Sequence, residues 1–177
     1  NALNAALLAG LTSTMAELDA DGSVRAIVLT GADPAFCAGL DLKELAASPE
    51  RLAGGFGDRS ELRRPFPDMS TPVIGAVNGV AITGGFELAL ACDFLIASEH
   101  ARFADTHARV GIMPGWGLTV LLPQAVGLRR ARELSATGNF LDAETAYDWG
   151  LVNHVVAHED LLPVADSSRA RRSPTAW

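Results

Sequence analysis

The stretch NGVAITGGFELALACD, residues 78–93, decides the fold of this 177-residue chain. An apolar segment, Pro72–Val80, leads into a Gly84–Gly85 pair, and the pattern predicts that a helix follows at once with Glu87 in its first turn. N–H groups at a helix start favour negative charge, and a ligand can come close to the backbone of Gly84, which has no Cβ. Such a corner is suited to stabilise an oxyanion while an acid moves a proton. Taken alone, the pattern is more typical of an ordinary strand-to-helix turn.

Composition excludes several classes of protein. Hydrophobic residues make up 49% and charged residues 20%, with a net charge of −7. The acidic balance argues against a nucleic-acid binder, and we find no apolar run long enough to span a bilayer and no signal peptide. Cys37 and Cys92 have no metal-binding spacing, and we interpret them as buried thiols of a cytoplasmic protein.

Helical and strand patterns alternate along the chain, which predicts an α/β fold. The predicted helices are Ala5–Leu18, Asp41–Ala47, Gly85–Cys92, Leu118–Val126, Arg129–Thr137 and Ala143–Trp149. The predicted strands are Val24–Thr30, Pro72–Val80, Asp93–Ser98 and Leu151–Val156. The predicted loops are Gly31–Gly39 and the polar stretch Ser48–Ser70, and residues 102–110 are predicted as an extended or short helical piece.

Five blocks in a fixed order carry a resemblance to a known family. They are AFCAGLDLKE at 35–44, PVIGAVNG at 72–79, TGGFELALACD at 83–93, FADTHARVGIMPGWG at 103–117 and AETAYDWGLVN at 143–153. Their order and spacing resemble the crotonase superfamily of enoyl-CoA hydratases and isomerases, over about residues 1–163. The resemblance implies a ClpP/crotonase-like fold of repeated ββα units, an acyl-CoA substrate in fatty acid metabolism, and a homotrimer or a hexamer.

The resemblance also implies an oxyanion hole. In the family two backbone N–H groups polarise the thioester carbonyl, and they correspond here to those of Leu40 and Gly84. A thioester gains negative charge when it becomes an enolate, and losing one preset donor typically costs about 3 kcal/mol. The alternative interpretation of Leu40 is a core leucine at a loop-helix junction, and the resemblance favours the donor.

The family likeness assigns further residues to the substrate. Ala38, Asp41 and Leu42 correspond to the stretch that lines the CoA moiety, largely through its backbone. Lys43 could meet a CoA phosphate, although for its side chain we favour a solvated helix face. Trp116 either closes the acyl pocket or packs against the following helix, and we favour core packing. We expect no metal and no cofactor beyond the coenzyme A thioester itself.

Two residues are the candidate catalytic groups. Hydratases of the family use two glutamates, of which the first corresponds to Glu87 and the second falls on His107. A histidine can act as acid or base near neutrality, but its charge and reach differ from those of a carboxylate. Two interpretations of His107 stay open, a proton-transfer group or a side chain that only fills space. We also hypothesise that Asp105 orients the imidazole, because strand alternation would place both residues on one side.

Three functions follow from these assignments. The first is an enoyl-CoA hydratase or isomerase that stabilises a thioester enolate. The second is another crotonase reaction, thioester hydrolysis or decarboxylation, with His107 as base. The third is a non-catalytic acyl-CoA-binding protein.

The resemblance also predicts where the domain ends. It stops near Pro163, so we predict a crotonase core over residues 1–163 and a non-matching, disordered tail over residues 164–177. By analogy with the family, we predict that the C-terminal helical segment is largely absent and that the chain is truncated at both ends.

Overall fold

The computed structural model describes residues 1–47 and 64–168. Most of the predicted polar loop Ser48–Ser70, and the tail from residue 169 onward, therefore lie outside the described residues. The chain begins with helix α1, Ala5–Ala20. Asn4 caps α1, because its Oδ1 accepts a hydrogen bond of 2.8 Å from the N–H of Leu7.

Three ββα units follow α1 and form the body of the fold. The first consists of β1, Ile27–Thr30, β2, Ala35–Cys37, and α2, Leu42–Ala47. The second consists of β3, Val73–Val77, β4, Val80–Ile82, and α3, Gly84–Leu90. The third consists of β5, Phe94–Ser98, β6, Arg102–Ala104, and α4, His107–Val110. This repetition confirms the predicted fold class.

The remaining elements complete the two sheets and cover them. In chain order they are α5, Leu118–Val126, α6, Leu128–Thr137, β7, Leu141–Asp142, α7, Ala143–Asp148, β8, His154–Val156, a 3₁₀ turn, His158–Asp160, and α8, Leu161–Ser167.

The first strand of every unit joins one sheet and the second strand joins the other. The first sheet has the order β1-β3-β5-β8 and is parallel throughout. The second has the order β2-β4-β6-β7, in which β7 is antiparallel to β6. The two-residue turn between β3 and β4 thus carries the chain from one sheet to the other, and it brings the start of α3 to the end of the second sheet.

The first sheet is buried on both faces, which explains its continuous apolar strands. Val73 and Val77 of β3 face the main core, whereas the intervening Ile74 and Ala76 pack with α8 in a second cluster. Ala165 of α8 lies in this cluster and is fully buried. Alternate residues of one strand therefore serve two cores.

Several predicted boundaries were wrong. Pro72–Val80 was predicted as one strand, but Asn78 and Gly79 separate β3 from β4, and the prediction overlooked that an Asn-Gly pair is common in turns. The predicted loop Gly31–Gly39 contains β2, a strand of three residues, which is too short for an alternation pattern to show. The domain boundary predicted at Pro163 falls inside α8, whose residues 164–167 are helical because Val164 and Ala165 pack under the first sheet.

Both cysteines are poor nucleophiles. Cys37 in β2 is buried, and burial raises the pKa of its thiol. Cys92 is partly buried between α3 and β5, and burial raises the pKa of its thiol to about 12. Their packing agrees with the interpretation of both residues as structural thiols.

Candidate active site

The start of α3 makes a tight corner with the end of β4. Thr83 joins the two elements with a φ of +49°, a conformation that residues with a side chain rarely adopt. A Cβ on Gly85 would lie 2.1 Å from the carbonyl oxygen of Cys37, so α3 can approach β2 this closely only with glycine at that position. At Gly84 the nearest contacts of a Cβ would be side-chain atoms at 3.3 and 3.4 Å. The backbone of Gly84 therefore remains approachable.

Glu87 is held by backbone donors from a distant segment. Its side chain is only 3% exposed. Oε1 accepts hydrogen bonds from the N–H groups of Trp116 at 2.7 Å and Leu118 at 3.3 Å, and Oε2 accepts one from Gly115 at 3.3 Å. These donors lie at the beginning of α5, where N–H groups have no partner within the helix. Sequence reasoning placed Glu87 beside Gly84 but missed the donors, for which the glycine-flanked start of α5 was the one available signal.

His107 lies between two carboxylates. Its Nδ1 is 2.7 Å from Oδ1 of Asp105, and its Nε2 is 3.5 Å from Oε2 of Glu87. As whole residues, Asp105, His107 and Glu87 are all less than 7% exposed. The hypothesis that Asp105 contacts the imidazole agrees with this geometry, but the reason is a turn and not strand alternation. The strand ends at Ala104, and the N–H of His107 donates to the same Oδ1 at 3.2 Å as α4 begins.

The two carboxylates determine the charge of the imidazole. Burial by itself lowers the pKa of His107, but its hydrogen bond to Asp105, its contact with Glu87 and the charges of both groups outweigh burial and raise the pKa to about 9. Burial likewise raises the pKa of Asp105, but hydrogen bonds from His107 and Ser135 outweigh it and hold the pKa below its usual value. At neutral pH the pair is therefore an ion pair, with His107 protonated.

Leu40 lies beside the corner at Gly84. It forms a parallel bridge with Leu3, in which the N–H of Leu3 donates to Gly39 and the N–H of Asp41 donates to Leu3. In this pairing the N–H of Leu40 itself points away from Leu3. A Cβ on Gly84 would be 3.8 Å from Cα of Gly39, the residue before Leu40, so the structure brings the two predicted oxyanion donors to the same part of the molecule.

The predicted CoA-binding residues form one short segment that follows β2. Ala38 is exposed, Lys43 is exposed, and Leu42 is the first residue of α2. The carboxylate of Asp41 accepts hydrogen bonds from the N–H of Lys43 at 2.9 Å and of Glu44 at 3.3 Å, so it caps α2. The side chain of Asp41 therefore stabilises the start of α2, and its contact with CoA stays a prediction.

The core packing favoured for Trp116 agrees with the structure. Its side chain is partly buried and packs against the main core. A ring atom would also lie 3.4 Å from a Cβ on Gly84. The ring therefore borders the corner, and its contact with substrate stays a prediction.

A second histidine cluster, which sequence reasoning missed, joins the β1–β2 loop to β5 and the 3₁₀ turn. His158 contacts Oδ2 of Asp33 through Nε2 and Oγ of Ser98 through Nδ1, both at 3.2 Å. Asn78 donates to Oδ1 of Asp33 at 2.8 Å, and these bonds lower the pKa of Asp33. The partners of His158 lie 60 and 125 positions away in the sequence, so no local pattern connects them.

Within residues 1–47 and 64–168 no group of three or more His, Cys, Asp or Glu side chains is arranged to hold a metal ion. In the same ranges no helix combines the length and the apolar character needed to cross a membrane.

Comparisons with known proteins agree with this architecture. A sequence model described as enoyl-CoA hydratase/isomerase matches residues 1–171. The chain is 42% identical over 166 residues to a probable peroxisomal enoyl-CoA hydratase 1 of Arabidopsis thaliana. The aligned region covers 93% of this chain and 62% of that protein. It is also 42% identical over 165 residues to a probable enoyl-CoA hydratase of Rhizobium meliloti, with 93% and 64% covered.

A solved structure of enoyl-CoA hydratase from Mycobacterium tuberculosis H37Rv superimposes with a TM-score of 0.83 at 54% identity, covering 94% of this chain and 69% of that one. The chain thus spans less than two thirds of the length of the two curated relatives. With a family match over almost its whole length and a shared fold, this chain belongs to the enoyl-CoA hydratase/isomerase family of the crotonase superfamily.

Proposed function

We propose that the chain carries the site of an enoyl-CoA hydratase or isomerase, which moves protons at the carbons next to an acyl-CoA thioester. The main support is the contact between His107 and Glu87, whose Nε2 and Oε2 atoms are 3.5 Å apart. Glu87 lies on α3, three residues after Gly84. An acid and a base beside a possible oxyanion hole are what addition of water to an α,β double bond requires. The curated relatives are longer than this chain, so the activity has to be measured on this chain itself.

The thioester carbonyl would bind at the N–H groups of Leu40 and Gly84. Among the described residues neither N–H donates a backbone hydrogen bond, which leaves both free for a ligand oxygen. Two such donors stabilise the enolate more than the ground-state carbonyl, and each typically contributes about 3 kcal/mol.

Glu87 and His107 would divide the proton transfer. A separation of 3.5 Å is long for a direct hydrogen bond, so one water molecule can bond to both Oε2 and Nε2. Glu87 would take a proton from this water as its oxygen attacks the β-carbon. His107, protonated at neutral pH, would give its Nε2 proton to the α-carbon as the enolate collapses. An isomerase would use the same groups without adding the water.

The CoA moiety would lie along Ala38, Asp41 and Leu42, with Lys43 near a phosphate. The exposure of Lys43 supports this assignment. Trp116 would form one wall of the acyl site because it borders Gly84. We assign no cofactor to the reaction besides the CoA thioester.

The first test follows the loss of conjugated enoyl-thioester absorbance with trans-2-enoyl-CoA of short and long chains, and compares wild type with Glu87→Gln and His107→Ala. We expect turnover in the wild type and a loss of about 10²–10⁴-fold in each variant. Calorimetry with the same thioester should give similar affinities for all three proteins. Binding without turnover in the wild type would contradict the proposal and indicate a non-catalytic acyl-CoA binder, and release of free CoA thiol would indicate thioester hydrolysis.

We also propose that the chain assembles as a homotrimer or a hexamer. Large apolar side chains that are about half exposed or more support assembly, namely Met113 at 62%, Leu128 at 53% and Phe140 at 51%. Light scattering during size-exclusion chromatography tests this, and a monomer at all concentrations would contradict it.

A role in fatty acid metabolism in the cytoplasm is the last part of the proposal. Its support is the family and the apolar residues around the corner, and the peroxisomal relative offers a different compartment. Fractionation of cells that express the tagged chain, with assays on straight-chain enoyl-CoA thioesters, tests both assignments.

A further inference from the structure

Asp105 holds His107 at two points. Its Oδ1 contacts Nδ1 of the ring at 2.7 Å and accepts the backbone N–H of the same residue at 3.2 Å. A bond of 2.7 Å between a nitrogen and a carboxylate oxygen has the length of a charge-assisted hydrogen bond. The ring therefore cannot rotate without breaking a strong contact, and its other nitrogen, Nε2, stays directed to Glu87.

The helix that carries His107 is fixed in turn. The side chain of Arg109 donates to the carbonyl of Thr137 and to Oδ1 of Asn139, both at 3.0 Å, and so ties α4 to the end of α6. Ser135 of α6 lies close enough to Asp105 to lower the pKa of its carboxyl group. One short helix of four residues is thus anchored from both sides, which restricts the position of the imidazole.

The contact with Asp105 changes the net charge of the site. With its Nδ1 proton engaged by Asp105, the imidazolium presents the Nε2 proton to the site. The carboxylate and the imidazolium together carry no net charge and one transferable proton, as a protonated carboxylic acid does. Together with the carboxylate of Glu87, the three groups hold one negative charge. Without Asp105 that charge would be cancelled.

We propose that Asp105 and His107 form a single, overall neutral proton donor, in which Asp105 is the positioning residue that keeps the imidazole oriented and protonated toward Glu87. The role in turnover rests on the function proposed above.

With Asp105 and His107 as the proton donor, every proton in the proposed hydration is accounted for. Water gives a proton to Glu87 and forms the bond to the β-carbon, and the electron pair of the double bond moves to the thioester oxygen as an enolate. The enolate then takes the Nε2 proton at the α-carbon and the carbonyl re-forms. The proton on Glu87 returns to Nε2 across the 3.5 Å gap, so the product is the 3-hydroxyacyl thioester and the enzyme is restored.

Few other charges reach the imidazole within the described residues. Glu87 faces it from α3 and Asp105 from the turn after β6, and both raise its pKa. On α4 itself Arg109 is engaged with the end of α6. The charged side chains of α6, the helix packed on α4, are exposed: Arg129, Arg130, Arg132 and Glu133.

The decisive experiment is a titration of the imidazole signals by NMR in the absence of substrate. The chain has four histidines, so His107 can be identified as the signal that His107→Ala removes. We expect the pKa of His107 to fall by about one unit or more in Asp105→Asn, because the variant replaces an anion by a neutral group. The matched control is Asp33→Asn, which breaks the other histidine–aspartate contact and should leave the titration of His107 unchanged.

Kinetics provide the second readout. In Asp105→Asn the alkaline limb of the kcat/KM profile should move to lower pH by the same amount, with kcat falling and KM for the thioester nearly constant. If the titration and the limb are unchanged, the neutral donor is refuted even when the wild type is active. If the titration shifts while no enoyl-CoA is consumed by the wild type, the pair stands and the proposed reaction fails.

A measurement on the wild type covers the case in which Asp105→Asn does not fold. The Nδ1 proton of His107 should resonate downfield of the ring N–H protons of the other three histidines, because its bond to a carboxylate is short. At pH 7 both ring nitrogens should carry protons. A neutral ring at that pH would overturn the proposal.

Discussion

Two histidines in this molecule each contact an aspartate through a ring nitrogen, and their surroundings make them different. His107 lies 2.7 Å from Asp105, with side chains that are 8% and 2% exposed, and a second carboxylate, Glu87, stands on its other side. His158 lies 3.2 Å from Asp33, with side chains that are 33% and 64% exposed, and its second partner is the hydroxyl of Ser98.

The contrast shows that a histidine–aspartate contact alone does not make a site. Water screens the exposed pair, and the hydrogen bonds of His158 join the β1–β2 loop to β5 and the 3₁₀ turn. Burial and two carboxylates keep the other imidazole protonated beside an approachable glycine corner. The difference between the clusters can be tested by changing the same feature in both.

Removing each imidazole should have the largest effect. We expect His107→Ala to lower kcat by about 10²–10⁴-fold, the usual contribution of an acid–base group, and His158→Ala to change it by less than about twofold. The measurement is steady-state hydration at pH 7, with circular dichroism to confirm that both variants fold. Equal losses in the two variants would remove the distinction between the clusters.

Each cluster also adjoins one glycine. A Cβ on Gly79 would lie 2.2 Å from the carbonyl oxygen of Pro34, next to Asp33, whereas a Cβ on Gly84 would meet only side chains at 3.3 and 3.4 Å as its nearest neighbours. Gly79→Ala should therefore lower the free energy of unfolding by about 1–3 kcal/mol, because a backbone atom cannot move aside.

Gly84→Ala should behave in the opposite way. We expect less than about 1 kcal/mol of destabilisation but about a tenfold loss of kcat/KM, or about 1.4 kcal/mol in the barrier, because the methyl group intrudes where the thioester would bind. Urea unfolding and hydration assays on both variants separate the outcomes. Full activity in Gly84→Ala would place the substrate elsewhere.

Alkaline pH should reveal which imidazole is coupled to folding. Because the pKa of His107 is raised from 6.5 to about 9, the stability that its charge provides is complete below pH 6.5 and is lost as pH rises toward 9. Urea unfolding between pH 6 and 9.5 should show this loss in the wild type and in His158→Ala. The loss should be absent from His107→Ala, and a decline of equal size in that variant would contradict the assignment.

The smallest effect is expected at Ser98. Its hydroxyl is fully buried, accepts the N–H of His100 at 3.0 Å and contacts His158. Ser98→Ala should cost about 1 kcal/mol of stability, the usual net value of a hydrogen bond, and leave hydration unchanged. Thermal unfolding and the absorbance assay check both parts, and a loss of activity without a loss of stability would connect this cluster to turnover.

The sequence predicted much of the fold because ββα units repeat and their strands are strongly apolar. It failed at one turn and at the short strands. The Asn-Gly pair at 78–79 interrupts the apolar run from Val73 to Ile82 and is a common turn signal. It does not show that the two halves join different sheets, which is visible only when the strand partners are known. β2 and β7 have three and two residues, too few for a periodic signal.

The candidate site was predictable to the extent that it is local. The glycine corner and Glu87 are three positions apart, and Asp105 and His107 are two apart. The N–H donors of Glu87 come from 28 to 31 positions further along the chain, and backbone donors leave no residue type by which to recognise them. His158 was missed for the same reason, because tertiary structure alone brings Asp33 to it.

The reactivity of the two thiols can be used to follow how the two sheets unfold. Cys37 belongs to the second sheet, and the sulfur of Cys92 lies against Gly75 of the first, where a Cβ would be 3.2 Å away. Since the raised pKa of each thiol leaves little thiolate in the folded state, alkylation should be slow until the surrounding structure opens. The alkylation rates of Cys37 and Cys92, followed by mass spectrometry, would therefore report whether the two sheets separate in one cooperative event or in succession.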